Sequence, residues 1–233
     1  PAADLGREAL AWATGRLGAT RGPTRKAHLV VHPRAAARLV AGLLGAADGA
    51  SLQQGRSFWA ESLRTGAAVV HERLQIVDDP LLPRGFASRR WDGEGIASKA
   101  RPIVEGGRLV NPYVDTTYAR KLGRAPTTGS PSNRIVGTGA RDLAAIVTDS
   151  PDAVLVTSWL GGNLNPTTGD FSFGLRGNLV SQGAQGAPVG EMNVTGNILE
   201  LFAHLVEVGS DPWPWSSIRC PTLVFEGVSF SGA

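Results

Sequence analysis

The sequence is poor in the residues from which self-contained catalytic sites are most easily built. It has one cysteine, Cys220, so no disulfide can form within the chain. Such cysteine usage is expected of a reducing, cytoplasmic setting. There are four histidines and one methionine among 233 residues. No run of 18 apolar residues occurs, so no membrane-spanning helix is expected. Charge is sparse and nearly balanced: 23 Lys and Arg against 20 Asp and Glu, for a formal +3. The basic residues are scattered, with pairs only at Arg25-Lys26, Arg89-Arg90 and Arg120-Lys121, which is not the stripe that nucleic-acid binding requires. A Walker loop, a GxGxxG turn and a GxSxG elbow are all missing; Gly227-Val228-Ser229-Phe230-Ser231 ends in serine where the elbow needs glycine.

Glycine and proline, by contrast, are plentiful at 30 and 15 residues, so turns should be many and helices few. Leu5, Ala9, Leu10, Ala13 and Leu17 recur at helical spacing over residues 2–17. A strand at Ala27–Val31 leads to Pro33, which suits the first turn of a helix running over Ala36, Leu39, Val40, Leu43 and Leu44. Beyond a less regular stretch to Val77, Glu105-Gly106-Gly107-Arg108 links two apolar runs, Pro102–Val104 and Leu109–Val114, as a hairpin. Asp115 is placed to cap a short helix through Leu122, and Asp142–Val147 is another short helix. Residues 123–134 form a loop, Val154–Leu160 a buried strand, and Phe171–Val180 with Pro188–Val194 a second hairpin. Asn197–Val206 has an amphipathic helical pattern, and Thr222–Phe230 is a closing strand. Hairpins with interspersed helices and no strict βαβ alternation indicate an α+β fold, rich in antiparallel sheet with a few helices packed on it.

Each candidate for chemistry has a plainer alternative. His71-Glu72-Arg73-Leu74-Gln75 is one residue short of HExxH; a neutral amide replaces the second imidazole, and the run into Ile76-Val77 favours a strand. His28, His32 and His204 are possible but unspecified pieces of a metal site. Cys220 before Pro221, entering an apolar strand, reads as buried and inert more readily than as a nucleophile with His204 as base. Asp92 and Glu94, between glycines in Trp91-Asp92-Gly93-Glu94-Gly95, can act as acid and base, bind a cation, or accept from the amides of a tight turn. Asp170, in Thr167-Thr168-Gly169-Asp170-Phe171, poses the same choice.

At these two loops the sequence resembles the TldD/PmbA family, long labelled modulators of DNA gyrase and also related to peptidases. The resemblance is carried by Gly85-Phe86-Ala87-Ser88, Asp92-Gly93-Glu94-Gly95, Ile103-Val104-Glu105-Gly106-Gly107-Arg108-Leu109 and Tyr118-Ala119-Arg120-Lys121-Leu122-Gly123. It continues through Thr168-Gly169-Asp170-Phe171-Ser172-Phe173-Gly174, Pro188-Val189, Gly196-Asn197 and Gly209-Ser210-Asp211. It implies that residues 26–233 are a C-terminal domain and residues 1–25 a linking helix from a preceding N-terminal domain. In TldD-type chains an HExxxH helix and a later cysteine bind zinc. The matching stretch here, Leu39-Val40-Ala41-Gly42-Leu43-Leu44-Gly45-Ala46, is apolar or glycine throughout, so the chain looks like the zinc-free TldE (PmbA) branch. The resemblance then implies a non-catalytic subunit with no cofactor of its own, paired with a zinc-bearing TldD-like chain and acting on unfolded or modified peptides. Asp92, Glu94, Thr168, Gly169, Asp170 and Phe171 would line the substrate channel. A regulator of gyrase or of its toxin inhibitor and a self-contained homodimeric hydrolase are the alternatives. Physically, a glycine-rich sheet can offer an edge to which an extended peptide adds as a strand.

Overall fold

The computed structural model describes residues 2–232. Along the chain come helix α1 (Ala2–Thr14), strands β1 (Thr20–Arg21) and β2 (Arg25–Val31), and helices α2 (Pro33–Gly45), α3 (Gly49–Gln53) and α4 (Ala60–Thr65). Then follow β3 (Ile76–Asp78), β4 (Arg101–Glu105), β5 (Arg108–Leu109), α5 (Thr116–Leu122), β6 (Arg134–Val136) and α6 (Leu143–Thr148). The chain closes with β7 (Asp152–Trp159), β8 (Asn163–Leu164), β9 (Asp170–Ser181), β10 (Ala184–Asn197), α7 (Ile198–Ala203), β11 (Leu205–Val208), β12 (Ile218–Arg219) and β13 (Leu223–Ser231).

Two sheets result. The larger runs β1-β10-β13-β2-β7-β9-β8, with β11 added to β13. Because β10 also pairs with β9, the strands β10, β13, β2, β7 and β9 close into a ring. The smaller sheet runs β12-β6-β3-β4-β5. Most pairings are antiparallel, as the hairpin pattern predicts, but β2–β7, β1–β10 and β12–β6 are parallel. The β2–β7 pair encloses most of the smaller sheet between its strands in sequence, which no local periodicity can announce.

Helix α2 fills the ring side of the main core. His32 caps it, its Nδ1 accepting from the Arg34 amide at 3.1 Å, and Pro33 occupies the first turn. Leu39, Val40, Leu43 and Leu44 are buried, against Leu29 and Val31 of β2, Val154 and Val156 of β7 and Phe225 of β13. Trp59, fully buried, donates its indole N–H to the Leu43 carbonyl at 2.7 Å, so a large apolar ring enters the core with its polar atom satisfied. On the outer face, α6 covers Val30, Ala153, Leu155, Val180 and Val224 with Ile146 and Val147. From Leu29 to Val31 strand β2 is thus buried on both faces, which explains the apolar run there.

The Asp115 and Asp142 carboxylates cap α5 and α6, accepting from the amides of Tyr118 (2.7 Å) and Ala145 (2.9 Å). Three expectations change. The N-terminal helix ends at Thr14 rather than residue 17, and Leu5 and Leu10 on it are exposed. The second strand of the first hairpin stops at Leu109, ahead of Asn111 and Pro112. The amphipathic stretch at Asn197–Val206 is helical only to Ala203; from Leu205 it becomes β11, because pairing with β13 at Leu205↔Phe225 outweighs helix continuation.

In the β4–β5 hairpin both central residues have positive φ, Gly106 at 55° and Gly107 at 76°. A Cβ on Gly107 would lie 2.4 Å from the Val70 carbonyl oxygen, whereas one on Gly106 meets only the flexible Arg108 guanidinium at 3.2 Å. Denaturant unfolding should therefore show Gly106→Ala costing about 1 kcal/mol. Gly107→Ala should cost visibly more, up to about 3 kcal/mol. Equal costs at the two positions would contradict this packing.

Candidate functional site

The closing seam of the ring is short. Strand β10 meets β13 only at Asn193↔Ser231 and Val194↔Phe230. Beyond Val194, β10 leaves its neighbour to become α7, and the outer edge of β13 is joined again only by β11 at Leu205↔Phe225. Between these points β13 bulges against β2, with Gly227 at φ 65°. The parting leaves a groove of about 400 Å³. Its apolar surface comes from Phe171, Val194, Leu201 and Val228, and its polar surface from Lys26, His28, Asn197, Glu200, His204 and Glu226. His204 Nδ1 lies 2.8 Å from the Glu200 carbonyl oxygen. Since a carbonyl only accepts, Nδ1 carries the hydrogen, and Nε2 is left as an acceptor.

Of the six residues anticipated for the channel, Phe171 lines this groove, and Thr168, Gly169 and Asp170 reach it through Asn197. Asn197 organises them: its Nδ2 donates to the Thr168 carbonyl at 2.7 Å and to Asp170 Oδ1 at 3.2 Å, and its Oδ1 accepts from the Leu199 amide as the α7 cap. Gly169 turns the chain at φ 87°, where an added Cβ would meet the Asn197 amide at 3.1 Å. The Thr168 hydroxyl donates to Asp170 Oδ2 at 2.7 Å. This hydroxyl, and then the Asn197 amide, hold the Asp170 carboxyl below the usual carboxylate range. Phe171 is buried and lies 5.0 Å from the Phe173 ring.

Asp92 and Glu94 sit elsewhere, beside the smaller sheet, and no hydrogen bond or ion pair joins them to residues 168–171. Asp92 is buried, and its Oδ1 accepts from the amides of Glu94 and Ile96, both at 2.9 Å. Burial by itself raises the Asp92 carboxyl, but the Ile96 and Glu94 amides outweigh it and hold the group below the usual range. Glu94 accepts from the Thr116 amide at 2.9 Å and from its hydroxyl at 2.5 Å, pinning the turn to the start of α5. Nearby, Asp78 accepts from the Tyr113 hydroxyl at 3.0 Å and the Ser132 amide at 2.7 Å, and the Arg101 guanidinium lies over the Tyr113 ring. Burial, and then the Asp78 charge, push the Tyr113 hydroxyl well above its usual value.

The remaining metal candidates are committed to structure. His71 lies in a turn, not a helix, with Nδ1 accepting from the Arg73 amide at 3.1 Å. His32 packs edge-on against Trp12 at 4.8 Å. Burial, reinforced by the Arg34 charge, lowers its pKa to about 4. Cys220 is buried, and burial together with the Asp211 charge pushes its thiol far above the ordinary value, leaving no thiolate near neutral pH. No side chain over Leu39–Ala46 of α2 and its cap has a donor atom. Among the described residues no group of three or more His, Cys, Asp or Glu could hold a metal ion. The site therefore does not fit a resident zinc. The groove itself escaped sequence reading. His28 and His204 stand out as histidines, but their approach to each other and to Lys26, Glu200 and Glu226 has no local signal.

A ring-closed sheet with helix α2 packed against it, two hairpins and a second small sheet together define the domain whose relatives identify its class. It belongs to the PmbA/TldA metallopeptidase family: residues 24–232 match the model of that family's C-terminal domain. It is 30% identical over 233 residues to metalloprotease PmbA of Escherichia coli O157:H7, covering 99% of this chain and 50% of that protein. A Bacteroides thetaiotaomicron protein described as a proposed modulator of DNA gyrase superposes with a TM-score of 0.93 at 38% identity, over 98% of this chain and 52% of that one. TldE from Thermococcus kodakarensis shares the fold, with a TM-score of 0.86 at 22% identity over 97% of this chain and 55% of that one. The chain thus spans about half the length of the relatives it matches.

The depressed Asp92 carboxyl has a consequence for stability. Its folded pKa lies below its unfolded value, so its contribution is complete above about pH 4 and is lost as pH falls through the folded value. Urea unfolding from neutral pH down to about pH 3 should show a shallower acid loss for Asp92→Asn than for the wild type. Parallel acid limbs would remove Asp92 from that role.

Proposed function

We propose that this chain is the subunit without metal in a two-chain zinc metallopeptidase acting on unfolded or modified peptides, with a TldD-like chain holding the zinc. The observation that carries the proposal is the donor set. Leu39–Ala46, the stretch that the resemblance matches to a zinc-binding helix, offers only alkyl groups and glycine, and the His32 ring nitrogen and Cys220 thiol are taken up by capping and burial. The partner's metal would polarise the attacking water. This chain would bind and orient the peptide along its seam, using the Thr168–Phe171 turn and the groove beside it, while Asp92 and Glu94 brace the wall of the channel. A cytoplasmic location accords with the single free cysteine, and no helix among the described residues is long and apolar enough to cross a membrane.

Two measurements test the proposal. Metal analysis after purification should find zinc in the complex and none at stoichiometric level in this chain alone; one zinc per isolated chain would overturn it. Asp170→Ala in the assembled complex should lower peptide turnover by about tenfold or more, by loosening the turn that positions the substrate. Unchanged turnover with assembly intact would remove the turn from the channel.

A further inference from the structure

Several charges on or beside the larger sheet are paired. Arg21 meets Glu191, Arg25 meets Asp152, and Arg141 bridges Glu207 and Asp149. The groove at the seam departs from this pattern. The side chains of Lys26, His28, Glu200 and Glu226 have no hydrogen bond or ion pair, although all line the same space. They do not form a metal site. They surround an apolar floor of Phe171, Leu201 and Val228, of which Phe171, Leu201 and Val228 all belong to the main core. Convergent, unpaired polar groups over an apolar floor are the usual anatomy of a small-ligand site, and about 400 Å³ falls at the small end of such sites.

The charges select the ligand. Two carboxylates, Glu200 and Glu226, face one ammonium, Lys26, so an anion is disfavoured and a cation with a hydrogen-bonding head is favoured. Lys26 of β2 lies along the bulge, its Nζ 3.9 Å from where a Cβ on Gly227 would sit, and Glu226 lines the same groove. We propose that the groove binds an α-ammonium group carried next to an apolar side chain, as in a free apolar amino acid or the N-terminal residue of a peptide. Glu200 and Glu226 accept from the ammonium, the side chain rests on Phe171, Leu201 and Val228, and Lys26 meets the carboxylate or first carbonyl. For a peptide end this rests on the proposed peptide-binding role of the seam, whereas binding of the small ligand is measured on this chain without its partner.

Calorimetric titration of the intact protein with L-leucinamide, L-leucine, Leu-Gly-Gly and N-acetyl-L-leucinamide tests it. Leucinamide should bind and its acetylated form should not. Glu226→Gln and Glu200→Gln should each weaken leucinamide by about tenfold, the loss of one charge-assisted hydrogen bond. Lys26→Gln should weaken leucine more than leucinamide, because only leucine offers a carboxylate charge to the ammonium. These three side chains are exposed and unpaired, so the variants should keep the wild-type melting temperature. The relative affinities of leucine and Leu-Gly-Gly separate a free amino acid from a peptide end. No binding of leucinamide, equal binding of the acetylated amide, or unchanged affinity in both glutamine variants would overturn the proposal.

Discussion

Strand β10 is the member on which the larger sheet depends. It is the longest strand, at 14 residues, and it pairs with β9 along one side and with β13 and β1 on the other. Those double pairings turn an open sheet into a ring and remove the long free edges that an isolated sheet would expose. The strand achieves this by irregularity. Register shifts near Pro188 and between Val189 and Met192, with Glu191 at φ 51°, bend it so that one end can reach a second neighbour. The groove is the geometric remainder of that closure, since a bent strand cannot stay beside β13 for its whole length.

The smaller sheet is held differently. Its interior is partly polar, with Asp78 serving the Tyr113 hydroxyl and the Ser132 amide while the Arg101 guanidinium covers the same ring. Burying such groups costs free energy unless they are matched, so the network specifies one arrangement more than it adds stability. The turn at Asp92 and Glu94 extends the principle outward: two carboxylates that look like an acid–base pair in the sequence satisfy backbone amides in two different elements. Carboxylates flanked by glycines are as suited to turn capping as to catalysis, and only the positions of the surrounding amides decide which.

Family membership and the set of side chains along α2 together describe what this domain is built to do. Its fold is that of the C-terminal domain of the PmbA/TldA metallopeptidases. Helix α2 keeps its place in the core with small and apolar side chains, Ala41 and Gly42 among them. Gly42 in particular has a Leu164 methyl 3.3 Å from where its Cβ would lie. Lys26, His28, Glu200 and Glu226 gather at the seam rather than along that helix.

By itself the sequence determined the features that rest on a few adjacent residues. The caps at Asp115 and Asp142, the Gly106-Gly107 hairpin, the proline-led α2 and the buried strands at β2 and β7 all follow from local chemistry. The absence of ligand side chains over Leu39–Ala46 is likewise plain from the letters alone. Tertiary structure decided the rest. Whether Leu205–Val208 is helix or strand depends on the free edge of β13, and the parallel pairing of β2 with β7 depends on how the intervening sheet folds back. The groove joins Lys26 and His28 to residues beyond position 170, and sequence periodicity carries no information across such a separation. The physical reason is the range of the forces. Capping and turn preferences act within a few residues, whereas strand pairing and burial are settled by which surfaces the complete chain leaves to be covered.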